Sequence, residues 1–349
     1  MTLRPRTVTL TSGAILIVVL TALASWLPVP YVVLSPGPTA NTLGTDGSNG
    51  EVISISGHAT YPTSGHLQLL TVSLRGGPGR RMDLVTALRA WFDPHDAVVP
   101  TKVEFPDNPT PQQVEKRNAE DMELSQSAAT TAALTQLGIP IERDIVVKSI
   151  QEGAPALGTL KAGDVVRSVD GKPASTPESV SSAIQAHTPG DPVSMTVERG
   201  GKTLTLQVPT AANEQGKARI GVEQAVRQTY PFQVKIGLQD VGGPSAGMMF
   251  ALGIIDKLTP GELTGGQFVA GTGTIDDSGK VGPIGGIQQK LAGARAAGAR
   301  WFLAPADNCG ETHGVVPKGL RVVKVSTLKE AYADVTAIGQ GKAAALPTC

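Results

Sequence analysis

The stretch Gly242-Gly243-Pro244-Ser245-Ala246-Gly247 constrains this chain more than any other. Small residues and a proline crowd around one serine, and an uncharged, largely apolar run, 248–255, follows directly. Upstream, Phe232-Gln233-Val234-Lys235-Ile236 alternates as a half-buried strand does. Strand, glycine turn and helix would expose one side chain at a helix N-terminus, where unpaired amides and the helix dipole favour negative charge. A serine attacking a carbonyl needs such donors for the oxyanion that develops. A glycine turn with a capping serine has the same sequence, so the hexapeptide alone leaves both readings open.

The downstream sequence adds a second group. Thr272-Gly273 is followed by Gly282-Pro283-Ile284-Gly285-Gly286-Ile287-Gln288-Gln289-Lys290, and Lys290 opens a helix of small residues, Leu291-Ala292-Gly293-Ala294-Arg295-Ala296-Ala297. A lysine packed among glycine and alanine is desolvated, loses its proton near neutral pH and can act as a general base. Serine paired with lysine is a variant of the serine–histidine–aspartate arrangement.

Gly243-Pro244-Ser245-Ala246-Gly247 followed by Pro283-Ile284-Gly285-Gly286 and Lys290 resembles the proteolytic domain of the Lon-type serine peptidases, over roughly residues 228–336. The resemblance implies Ser245 as nucleophile, Lys290 as its base and Thr272 as a supporting residue. Gly243, Pro244 and Ala246 would then form the turn and oxyanion site. It further implies an α+β fold of the ribosomal protein S5 domain 2-like type and no cofactor. Many members of that family carry an acid three positions before the serine; here Gly242 stands there, and Asp240 is out of register.

At 349 residues the chain has room for two or three domains. Thirty basic and thirty acidic side chains balance, so nothing favours a nucleic-acid partner, and 4% aromatic content leaves few stacking platforms. Arg4 and Arg6 precede a charge-free run, 8–27, whose length suits a membrane-crossing helix with its N-terminus in the cytoplasm. Ala22-Leu23-Ala24 also fits a signal-peptide cleavage site. Either reading exports the remaining chain. There Cys309 and Cys349 would form a disulfide.

Residues 31–80 alternate in short runs too few for a domain, and the expectation is that they complete the sheet of the C-terminal domain. His58 and His66 within them have no zinc spacing. Residues 81–140 read as a helical connector without chemistry. Leu84, Leu88 and Trp91 share one helix face, as do Met122, Ala129, Ala133 and Leu137. Residues 141–210, through Leu160-Lys161-Ala162-Gly163-Asp164-Val165-Val166 and Val169-Asp170-Gly171-Lys172-Pro173, resemble a PDZ domain of the bacterial protease type. Such domains take up an extended peptide at a sheet edge. The carboxylate-binding loop of that family is not evident before Ile145. Gly201-Lys202-Thr203 lacks the earlier glycine of a P-loop and sits in a hairpin, so no nucleotide site is expected.

The expectation is therefore a transmembrane helix (8–27) after a short cytoplasmic start (1–7), a PDZ domain (141–210) and a Lon-type domain (211–349). Together they would act as an ATP-independent serine endopeptidase on protein or peptide substrates, with membrane lipid through residues 8–27 and a second copy of the chain, as a homo-oligomer, as its other partners. Two rival readings stand. Gly243-Pro244-Ser245-Ala246-Gly247 also fits an α/β-hydrolase elbow, with Asp276, Asp277 or Asp307 and His313 completing a triad. Gly242 would suit a non-enzymatic PDZ adaptor.

Overall fold

The computed structural model describes residues 5–45, 50–238 and 241–349. The chain divides into two compact units: residues 1–139 with 232–349, and residues 140–231. The first begins with the helix Pro5–Trp26. Among the described residues no helix is long and apolar enough to cross a membrane. The span expected over 8–27 is thus not shown.

The first unit is built on a six-stranded sheet. Its order is Arg321–Val325, Trp301–Pro305, Phe268–Gly271, His66–Gly76, Tyr31–Asn41 and Ala97–Pro100. The first four strands are parallel and the last two antiparallel. Segments more than 190 residues apart in sequence thus share one sheet, with Leu67 paired to Val269. The helix Gly247–Leu258 is buried at all twelve positions, apolar from Met248 to Ile255 and carrying Asp256 and Lys257 in its last turn. Gly253 lets it approach the chain closely: a Cβ there would lie 2.7 Å from Ile53 Cδ1. The two histidines sit against rings, His58 on Phe232 and His66 on Phe268.

Cys309 and Cys349 are disulfide-bonded. The chain-entropy model assigns a loop of this length, sequence separation 40, about 4 kcal/mol of stabilisation. Replacing both cysteines by serine should lower stability by about that amount in denaturant titrations, and an unchanged midpoint would mean that the tail is not tied in solution.

The second unit is a PDZ-like sheet in the order Lys202–Val208, Val193–Arg199, Val165–Val169, Glu142–Ile150 and Val222–Thr229. The Gly200-Gly201 hairpin turn has positive φ at both residues, 57° and 74°, the geometry that matches strand twist. The boundary expected at 210/211 is displaced to 231/232. The cause is local: Val222–Thr229 pairs with Glu142–Ile150 across a register from Val222 with Ile150 to Thr229 with Glu142, closing the PDZ sheet before the chain leaves it. Likewise the helix Pro111–Gln136 is no connector. It belongs to the first unit and buries Met122, Ser125, Ala129, Ala133 and Leu134 there.

Candidate active site

The strand Phe268–Gly271 lies in the middle of the sheet, and the chain leaves it at Thr272, whose amide donates to the Leu303 carbonyl. Gly271 must be small there, because a Cβ would lie 2.6 Å from Met249 Sδ. Thr272 Oγ1 and the Gly273 amide both donate to the Ser245 carbonyl, each at 2.9 Å. The Met248 amide donates to Gly273 O at 3.1 Å. Two turns distant in sequence are therefore tied together, and the serine's backbone is fixed from the threonine side.

The other side is held by the helix Pro111–Gln136. The Gly243 amide donates to Asn118 O, and Ser125 Oγ donates to Pro244 O, both at 3.1 Å. Gly243 has φ of 85° and Gly247 has no room for a side chain, since a Cβ would stand 2.7 Å from Ile275 Cγ2 and 2.9 Å from Ser125 Oγ. Gly242 is explained in the same way: its Cβ would lie 2.8 Å from Asn118 Cβ, so the packed helix leaves no space for an acid. Asp240 lies outside the described residues. In the sequence, residues 81–140 show no sign of chemistry. Asn118 and Ser125 carry no motif, and only the packing of the helix reveals their place.

Two expectations about the turn need correction. The strand before the serine is short, Gln233–Ile236, and among the described residues pairs only with Ile53–Ser56, so contacts to a helix and to Thr272-Gly273 shape the loop instead of a direct strand-to-helix turn. Of the three residues expected at the oxyanion site, Pro244 has no N–H and the Gly243 amide is already given to Asn118 O. The amides of Ser245 and Ala246 have no acceptor among the described residues and stand at the start of the helix Gly247–Leu258.

Ser245 does not cap that helix, whose N-cap residue is Ala246 without a side-chain bond. Its Oγ lies 2.8 Å from Lys290 Nζ. Lys290 sits in the first turn of the helix Ile287–Ala296, which opens on Gly286 in the left-handed region (φ 67°). A Cβ at Gly286 would meet Val72 Cγ2 at 2.6 Å. The preceding loop is clamped by buried Asn308, whose amide group exchanges hydrogen bonds with Ile284 N and O at 2.9 Å each. Asn308 was also invisible as a site residue in the sequence.

Lys290 is 2% exposed, and Thr272, 1% exposed, is its second neighbour, with Oγ1 at 2.9 Å from Nζ. No carboxylate pairs with Lys290 among the described residues. Burial without a counter-ion disfavours the ammonium and pulls the lysine from its ordinary 10.5 down to about 7. The direction of each bond follows. The Thr272 hydroxyl proton is given to the Ser245 carbonyl, so Thr272 Oγ1 faces the lysine as an acceptor. A neutral amine then donates one N–H to Thr272 and turns its lone pair to the Ser245 hydroxyl.

Removing the Ser125 hydroxyl should leave Pro244 O without its donor. Ser125→Ala is expected to cost about 1 kcal/mol of stability and to slow turnover several-fold through movement of the serine loop. A variant with the wild-type rate would show that the helix Pro111–Gln136 does not position the loop.

Neither His313 nor Asp276 is hydrogen-bonded to Ser245 among the described residues. His313 is exposed, with Nδ1 on the Gly310 carbonyl. Asp276 Oδ1 accepts from the Ser278 and Lys280 amides and serves a turn.

A second concave surface lies in the PDZ-like unit. A cavity of about 230 Å³ opens between the helix Pro177–Gln185 and the segment Ala218 to Gln224, lined by Ser181, Ile184, Arg219, Ile220, Gly221 and Val222 among others. Val222–Thr229 is the edge strand of its sheet. No carboxylate-binding loop is evident before Ile145 in the sequence, and the apolar–glycine–apolar triplet Ile220-Gly221-Val222 lines this cavity instead.

This chain carries matches to two families. Residues 217–337 match the Lon protease (S16) C-terminal proteolytic domain. Residues 116–210 match the PDZ domain. The chain is 31% identical over 150 residues to Lon protease 1 of Sorangium cellulosum, covering 39% of this chain and 18% of that protein. With Lon protease 1 of Bacillus subtilis it shares 32% over 116 residues, 32% of this chain and 15% of that one. The chain thus spans under a fifth of the length of these Lon proteases. A PDZ domain of an SdrC-like protein from Listeria innocua is 27% identical and covers 23% of this chain and 92% of that one, with a TM-score of 0.22. A mixed α/β chain with PDZ and Lon-protease-like domains results, and serine-type endopeptidase is the enzyme class that these matches support.

Proposed function

We propose that this chain is a membrane-anchored, ATP-independent serine endopeptidase in which Ser245 is the nucleophile and Lys290 the general base. One observation carries the reading: a buried, uncompensated amine 2.8 Å from a serine hydroxyl. Neutral Lys290 takes the Ser245 proton as Oγ bonds to the peptide carbonyl carbon. The oxyanion lies at the free amides of Ser245 and Ala246. The lysine then passes its proton to the leaving amine, and a water, deprotonated by the same amine, releases the acyl group. Thr272 holds the lysine so that its lone pair meets the serine.

The groove between Pro177–Gln185 and Ile220-Gly221-Val222 receives an extended peptide, added along the edge strand Val222–Thr229. Its substrates are segments already extended, the form that can lie along a sheet edge. The charge-free run 8–27 and the exposed Leu10, Ile15, Leu16, Ile17 and Val18 of the first helix support the anchor, with the enzyme on the extracytoplasmic side. The site argues against a catalytically empty adaptor, because serine, lysine and threonine are assembled and Gly242 has a steric reason.

A fluorophosphonate or peptide boronate tests the reading. Wild-type protein should be labelled or inhibited at Ser245, and Ser245→Ala should neither react nor cleave an unfolded protein. Absence of labelling in the folded wild type would return the adaptor reading.

A further inference from the structure

The helix Leu84–Phe92 presents an apolar face that stays exposed among the described residues. Its inner side is small: Ala87 and Ala90 pack with Val33 and Met82. Its outer side is large: Leu88 is 49% exposed, Trp91 69% and Phe92 83%. The sequence reading placed Leu88 and Trp91 with Leu84 on one face, and that face is turned outward at its C-terminal end. Three such side chains left in water one turn apart mark an interaction site.

The fold places this face beside the end of the first helix. After Trp26, Pro28 and Val29 pair antiparallel with Asp83 and Met82, the two residues that lead into the helix Leu84–Phe92. Trp26 and Leu27 are themselves 90% and 57% exposed. Arg75, Arg80, Arg81 and Arg89 surround the same segment, all exposed and in no ion pair among the described residues; Asp83 is the one acid among residues 75–92, and Asp93 and Asp96 follow.

We infer that the helix Leu84–Phe92 docks onto the bilayer surface, with Leu88, Trp91 and Phe92 in the interfacial layer and the arginines on anionic headgroups. The inference rests on the membrane-anchored reading above. Its chemistry is that of interfacial helices: aromatic rings with an apolar body at headgroup depth, flanked by cations whose stems lie along apolar surface. A bilayer is the occupant that the page favours, because the patch is continuous with the exposed apolar helix Pro5–Trp26 and its flanking charge is predominantly basic. Docking at a second point would hold the proteolytic unit in one orientation on the membrane.

Tryptophan quenching separates docking from anchoring, because the three tryptophans are Trp26, Trp91 and Trp301. The full chain is reconstituted in vesicles of phosphatidylcholine and phosphatidylglycerol with brominated acyl chains. Emission is compared among wild type, Trp26→Phe, Trp91→Phe and the double variant, which leaves Trp301 alone. The expected result is that the Trp91 contribution, Trp26→Phe minus the double variant, falls by at least half relative to unbrominated vesicles. Leu88→Asp with Phe92→Asp should restore it, while the Trp26 contribution stays quenched. If Trp26 is quenched and Trp91 is not, the docking inference is overturned and the anchor stands; that outcome would assign the patch to a protein partner. If neither is quenched, the anchor reading fails and the docking inference fails with it.

Discussion

Lys290→Met should abolish cleavage and at the same time make the folded protein more stable at pH 7. Methionine keeps the length of the side chain and has no basic nitrogen, so kcat/KM is expected to fall about 10⁴-fold or more. The stability gain comes from desolvation. The lysine is pulled from 10.5 to about 7 in the fold, whereas in the unfolded chain it titrates near about 10.4. Between these values the unfolded state binds more protons, so the wild type gains stability as pH rises from about 7 to about 10. At pH 7 the buried lysine costs about 4 kcal/mol relative to a group with equal pKa in both states. The loss of the bond to Thr272 Oγ1 offsets about 1 kcal/mol of what the variant gains. Urea titrations of wild type and Lys290→Met at pH 7 and pH 10 check the claim: the variant should lead by about 3 kcal/mol at pH 7 and lose most of that lead at pH 10. A difference that does not change with pH would mean that the lysine stays charged, and the proposed base would be lost.

The second large effect is on rate. With Lys290 titrating at about 7, the fraction of free amine rises about tenfold per pH unit below that value and saturates above it. On a short peptide that needs no unfolding, kcat/KM should therefore climb about a hundredfold from pH 5 to pH 8 and then level off. Arginine retains its proton throughout this range, so Lys290→Arg should be inactive at every pH. A wild-type profile still rising log-linearly to pH 10 would show an unburied lysine and overturn the mechanism. The observed turn makes this profile interpretable: no carboxylate stands beside Lys290 among the described residues to add a second titration to its own.

Several parts of this protein are written locally. A glycine at 243 with positive φ, the apolar stretch after Ser245 and the paired Gly200-Gly201 hairpin each state their conformation in the residues themselves. The PDZ-like region was legible because its turns and its alternating strands, Val193–Arg199 and Lys202–Val208, are near neighbours in sequence. The pairing of Ser245 with Lys290 was legible only through motif resemblance; composition and spacing left the capping reading equally open.

What the chain encodes non-locally needed the tertiary structure. The PDZ sheet ends at Thr229, because strand pairing with Glu142–Ile150 is a long-range choice that no boundary signal at 210 announces. The clamp from Asn118 and Ser125 is made by one helix packing on a loop more than a hundred residues away, and a lone serine on a helix carries no mark of it. The sequence determined the residue types on which the chemistry depends, a serine among small residues and a lysine after a glycine loop. The tertiary structure decided that they meet and that the lysine is dry, because desolvation is a property of everything packed around an amine and is absent from the segment that carries it.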